Sequence, residues 1–280
     1  MLTREGGVTM RIGLLLLCVL GLAACAAEEE PLPEPEKLKF ARLSENPVEH
    51  GKRIAHVLGC DGCHTADFSG QDWSDPELGT LWTANLTKSA AKHSDDELLA
   101  MITTGRRPDR ALLDMPSHLF TQVHEDDLRA VLAYLRSMPE VGEVHPEPTF
   151  EPKLAEKMKS GEYRDSAQEI AYAGDDWPRD LGPQYAMGRH IVRATCAECH
   201  GTDLRGEEDV LTGGPRSADL RIVAAYDPKD FETLLTTGKA AGNRELGLMS
   251  KVARNRFPHL TPDERSAVRE YLVKLAEVDP

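Results

Sequence analysis

Two short runs constrain this chain more than anything else in it: Cys60-Asp61-Gly62-Cys63-His64 and Cys196-Ala197-Glu198-Cys199-His200. Two thiols with two residues between them, followed at once by an imidazole, form the attachment pattern of c-type haem. The thiols bond covalently to the porphyrin, and the adjacent His is placed to ligate iron. A thioredoxin-like redox pair or half of a zinc site explains Cys-x-x-Cys, but not a His directly after each pair, twice. The expectation is two covalent haem c groups, one on Cys60, Cys63 and His64, the other on Cys196, Cys199 and His200.

The surroundings of the two runs repeat as well. Gly51-Lys52-Arg53-Ile54 returns as Gly188-Arg189-His190-Ile191, and the Asp67 and Gly70 that follow His64 return as Asp203 and Gly206 after His200. Ile102-Thr103-Thr104-Gly105 returns as Leu235-Thr236-Thr237-Gly238. Ala130, Val131, Tyr134 and Leu135 return as Ala267, Val268, Tyr271 and Leu272. Two copies of one helical unit predict an all-α chain with domains at 45–139 and 184–280.

Local signals place the helices. Asn46-Pro47 supplies an N-cap followed by proline at the first helical position. Ser94 with Glu97, and Thr261 with Glu264, are capping boxes. Leu128, Val131, Leu132 and Leu135 fall at i, i+3, i+4 and i+7, which is one buried face. Residues 140–183 begin rich in proline and glutamate and read as a linker, with helical character expected between Lys153 and Tyr172.

The sixth iron ligand is drawn from eight methionines. Met115 and Met249 fall in segments without helical pattern between the second and last predicted helices, 51 and 49 residues after their haem His. A thioether is a soft ligand that raises the reduction potential relative to two His ligands. His118 and His259, a few residues further on, are the rival ligands, and filling of core gaps is the alternative role for both methionines. The second ring nitrogen of an iron-bound His commonly donates to a backbone carbonyl. Pro215 and Pro76 are the candidate acceptors, and Asn85, Trp82 and Arg106 are candidates to reach the haem propionates.

Of six Cys, the two outside the haem motifs are Cys18 and Cys25, in or just after the apolar run from Ile12 to Ala24. That run is shorter than the roughly 20 residues a bilayer needs. It follows Met10-Arg11, so residues 1–24 read as a secretory signal. Leu22-Ala23-Ala24-Cys25 resembles the lipobox of bacterial lipoproteins, which makes Cys25 the lipidated mature N-terminus. The alternative is an ordinary cut at Ala-x-Ala. Residues 25–44 read as an acidic, proline-broken tether. The expected place is the periplasmic side of a bacterial membrane, held by a lipid anchor. A formal charge of −14 with no clustered basic patch excludes nucleic acid as a partner and favours a partly basic redox protein.

The chain resembles class I cytochrome c domains in tandem, and its first half resembles those of cytochrome subunits of bacterial membrane dehydrogenases. The residues that carry the likeness are Cys60-x-x-Cys63-His64, Thr83-Ala-Asn-Leu-Thr87, Ile102-Thr-Thr-Gly-Arg-Arg-Pro108, Met115-Pro116 and Asp127-Leu-Arg-Ala-Val-Leu-Ala-Tyr-Leu-Arg136. The second half departs by lacking proline after Met249. The resemblance implies two small helical folds, each around one haem, with His64 and Met115, then His200 and Met249, as axial pairs. It also implies an electron carrier with no catalytic residues, working between redox partners such as a membrane or periplasmic dehydrogenase and a terminal acceptor. The alternative is a dihaem peroxidase, which needs one open iron and a distal Glu, Gln or His constellation that the sequence does not display.

Overall fold

The capping signals set the helix starts in the computed structural model, which describes Met1 and residues 37–208 and 216–280. Residues 2–24 of the expected secretory signal, Cys25, residues 26–36 of the expected tether and Pro215 lie outside the described residues. α1 (Pro47–Val57) starts at Asn46, whose side chain accepts from Val48 N. α2 (Cys60–His64) is a single turn. Asn85 caps α3 (Leu86–Lys92), and the Ser94/Glu97 box opens α4 (Asp95–Thr104), which left-handed Gly105 ends. α5 (Ser117–Phe120) and α6 (Glu125–Ser137) complete the first repeat.

Two helices, α7 (Pro152–Ser160) and α8 (Ser166–Ala173), stand where one helical stretch was expected, because left-handed Gly161 stops the first and Asp165 caps the second. The second repeat has α9 (Ala186–Thr195), α10 (Ala197–His200), α11 (Pro228–Thr237), α12 (Leu248–Arg256) and α13 (Pro262–Val278). The Thr261/Glu264 box opens α13 as expected. A minimal antiparallel pair, Lys239–Ala240 with Arg244–Glu245, follows α11.

In each repeat the first and last helices cross with their backbones touching. A Cβ at Gly51 would lie 1.8 Å from the Ala130 carbonyl oxygen, and one at Gly188 would lie 2.1 Å from that of Ala267. Only glycine permits this approach. Around the first crossing Ile54 and Val57 are buried with Leu128, Val131, Leu132 and Leu135, and around the second Ile191 with Val268, Tyr271, Leu272 and Leu275. Each such side chain contributes about 1.5–3 kcal/mol by leaving water.

The two repeats share one buried apolar cluster. Arg53 of α1 reaches Glu264 of α13 at 2.9 Å, and Arg193 of α9 donates to Thr121 beside α5 at 3.0 Å. Here the tether departs from expectation. Residues 37–44 have no helix or strand, but Phe40 is buried: its N–H donates to Asp127 of the first repeat while Ala41 N–H donates to Glu264 of the second.

Residues 140–183 likewise do more than link. The Asn85 amide donates to the carbonyls of Val141 and Glu143, Thr149 N–H donates to the Thr80 carbonyl, and Glu151 N–H to that of Leu78. Leu154 and Tyr163 then close a second small core over Leu78 and Leu81. The apolar side chains interrupting the charged run, too sparse to announce a domain, suffice to bind it to the first repeat as a strap. Among the described residues no helix is long and apolar enough to cross a membrane.

Candidate haem-binding sites

Left-handed Gly59 (φ 73°) turns the chain out of α1 directly into α2, and this places Cys60, Cys63 and His64 on one helical turn. Thiols at i and i+3 lie on one side of such a turn. All four motif cysteines are free thiols. Burial pushes the Cys60 thiol up to about 12 and those of Cys63 and Cys196 up to about 11. A thiol-exchange pair depends on a lowered pKa, which burial here denies these thiols.

The two imidazoles are held alike. His64 Nδ1 donates to the Ala84 carbonyl at 2.8 Å, and His200 Nδ1 to the Ala218 carbonyl at 2.6 Å. A carbonyl only accepts, so the proton sits on Nδ1 and the Nε2 lone pair is left for a metal. Burial lowers the pKa of both rings, which keeps them in the neutral, ligating form.

The acceptors are therefore Ala84 and Ala218, and Pro76 is not one of them. The reason is the loop after each motif. Gly70 N–H donates to the His64 carbonyl and Leu86 N–H to that of Phe68, and the second repeat matches with Gly206 to His200 and Leu220 to Leu204. These bonds fold residues 84 and 218 back against the rings, whereas Pro76 sits in a separate turn closed between Asp75 and Gly79. Ala84-Asn85-Leu86 and Ala218-Asp219-Leu220 are a repeated signal that points to these acceptors.

Met115 lies between α4 and α5, partly buried against the core. Met249 is also partly buried there, but it is the second residue of α12 and not part of an irregular segment. With no proline after it, Ser250 anchors the helix start by donating to the Gly238 carbonyl and accepting from Leu246 N–H. His118 packs against Trp177, and burial pushes it down to about 4. His259 stacks on His56 of the other repeat, with ring centres 4.6 Å apart. Asn85 is committed to capping α3 and holding the strap, so its amide is not a free propionate donor, while Trp82 stacks its ring face on His145 at 4.2 Å. Sequence reasoning also missed Arg256, a buried cation paired with Glu198 between the two Cys residues of the second motif.

Paired thiols on one turn, a neutral imidazole with Nε2 left over and a partly buried thioether make a donor set that fits c-type haem in each repeat. A cytochrome c family model matches residues 48–139 and again 185–276. Over 269 aligned positions that cover 83% of the chain, it is 24% identical to the cytochrome c subunits of quinone alcohol dehydrogenases from Gluconacetobacter polyoxogenes and Komagataeibacter europaeus. Over 281 aligned positions, 86% of the chain, it is 21% identical to the gluconate 2-dehydrogenase cytochrome c subunit of Pantoea cypripedii. The chain spans 57% of the length of the first two and 64% of the third. The family match takes in both repeats and most of the chain, which therefore belongs to the cytochrome c family as two tandem domains that bind one covalent haem each.

Proposed function

We propose that this chain is an exported, lipid-anchored electron carrier that accepts electrons from a dehydrogenase and passes them to a further redox partner. The observation that carries this reading is the duplication of one donor set inside a single shared core: two thiols, a neutral His and a Met in each repeat. A c-type haem, once bound, supplies a one-electron couple. Cys60 and Cys63 would hold one and Cys196 and Cys199 the other, so that neither is lost in an oxidising compartment. His64 and His200 would present Nε2 to iron, fixed by the Ala84 and Ala218 carbonyls, and Met115 and Met249 would close the opposite face against exogenous ligands. Relatives that are dehydrogenase subunits support a dehydrogenase as donor. The acidic surface selects a basic docking face on the partner. Cys25 in its lipobox setting would hold the carrier at the membrane surface.

The test is spectroscopic. Reduced protein exposed to carbon monoxide at neutral pH should change little, and Met115→Ala and Met249→Ala should each open one iron to it. Substantial binding by the unaltered protein would replace this reading with the dihaem peroxidase. Labelling with a radioactive fatty acid should mark the protein and be lost in Cys25→Ser; an unlabelled parent protein removes the anchor.

A further inference from the structure

The repeats meet at their haem-attachment turns, and one side chain lies between them. Arg256, at the end of α12, is 7% exposed. Its Nη1 donates to Glu198 Oε2 at 2.7 Å, within the second Cys-x-x-Cys-His run. The same guanidinium lies close against the start of the first run: a Cβ at Gly59 would fall 2.0 Å from Arg256 Nε, and one at Gly62 would fall 3.7 Å from Nη2.

Cys63 of the first run and Cys199 of the second both lie in the field of Arg256 and of Glu198. Burial works against the charge on Arg256 and Glu198 is the chief influence opposing it, and a guanidinium stays charged in such a site. The cation is not duplicated. Counting five residues back from the aligned caps Thr261 and His124 gives Arg256 in one repeat and buried, apolar Leu119 in the other.

We propose that Arg256 is a positioning residue shared by both haem sites. It clamps the first attachment turn against the second and sets one fixed positive charge beside both, raising the two reduction potentials together. The physics is direct: a nearby cation in a poorly solvated site favours whichever iron state carries less positive charge, the reduced one. Glu198 partly cancels that charge, so the pair sets the size of the effect. The planar fork of arginine also bridges two partners at once, which a lysine ammonium does less well.

This inference rests on the reading of the chain as a two-haem electron carrier. Its test is redox titration, followed optically, of fully haem-loaded protein. Arg256→Gln should shift both haems toward the oxidised form by about threefold to tenfold, or ~30–60 mV at 59 mV per decade for a one-electron couple. Arg256→Lys should restore most of both shifts, and Glu198→Gln should move both the opposite way. The proposal is overturned if Arg256→Gln moves one potential alone or neither, or if the lysine variant behaves like the glutamine one. Should Arg256→Gln not fold, Glu198→Gln decides, and unchanged potentials there overturn the proposal. Missing covalent haem or ready carbon monoxide binding in the unaltered protein would instead count against the carrier reading itself.

Discussion

Arg53 in α1 and Glu264 in α13 lie 2.9 Å apart, almost fully buried, and join the two repeats. Their places are equivalent to those of His190 and Asp127. Each basic residue directly precedes the isoleucine of the first helix, and each acid lies three residues before the alanine of the helix crossing. The matching positions are used differently: Glu264 pairs with Arg53 across the repeats, whereas Asp127 is bonded at 2.8 Å to His50 of its own repeat. Phe40 and Ala41 thread between them and bind both acids.

A buried pair of this kind is destabilising to break because the partner left behind keeps its charge out of water. Glu264→Gln removes the charge and leaves one acceptor oxygen where two now serve Ala41 N–H and Thr261 N–H, so it breaks the ion pair together with one of those bonds. It is expected to cost about 3 kcal/mol in urea unfolding, and Arg53→Met combined with it to cost less than the two changes summed. A single-mutant loss below about 1 kcal/mol would mean that the pair is solvated.

The helix crossings set a second expectation. Gly188→Ala drives a methyl group into the Ala267 carbonyl and the Tyr271 side chain, neither of which can yield without parting α9 from α13. Loss of about 3 kcal/mol or more, or failure to accumulate, is expected. Gly62→Ala, which would meet only Arg256 at 3.7 Å, is the control and should fold normally. Equal stability of the two variants would contradict the crossing.

Asn85 ties the strap to the loop that orients His64. Its amide serves the Val141 and Glu143 carbonyls while its carbonyl oxygen caps α3. Asn85→Ala removes both, with an expected loss of about 2–3 kcal/mol. Limited proteolysis should then cut within residues 141–151 well before the rest of the chain. An unchanged digestion pattern would show that the strap is held by Leu154 and Tyr163 alone.

What could be read from sequence was what is local. Helix starts at Asn46, Ser94 and Thr261 need only their own neighbours, and the haem motifs need only their own spacing, so all five were legible. Ala84 and Ala218 were not, because any residue offers a carbonyl and only the fold of the loop decides which one reaches the ring. Arg256 was hidden for a related reason. It lies 58 residues from Glu198 and farther still from Gly59, and no periodicity connects them. Phe40 was masked by the charged, proline-rich stretch around it, although a lone aromatic at the end of such a run marks where a tether docks.

His190 yields a pH dependence. Its ring packs on Phe40 with centres 5.0 Å apart, and Nε2 is buried without a partner. Burial is the largest influence and pushes its pKa down to about 4, against the upward pull of Asp127 and Glu264 and with a smaller downward push from Arg193 and His124. The folded value lies below that of the unfolded chain, so between about 6.5 and 4 the unfolded state binds a proton that the folded state refuses. Stability is therefore lost as pH falls through that window, by up to about 1.4 kcal/mol per pH unit from this residue alone. His190→Phe removes the titrating group and its unpartnered nitrogen while keeping an aromatic ring against Phe40. Urea midpoints measured from pH 7 to pH 4 should fall less steeply in the variant, by the equivalent of about one proton, and parallel curves would show that the imidazole is already solvated in the folded protein.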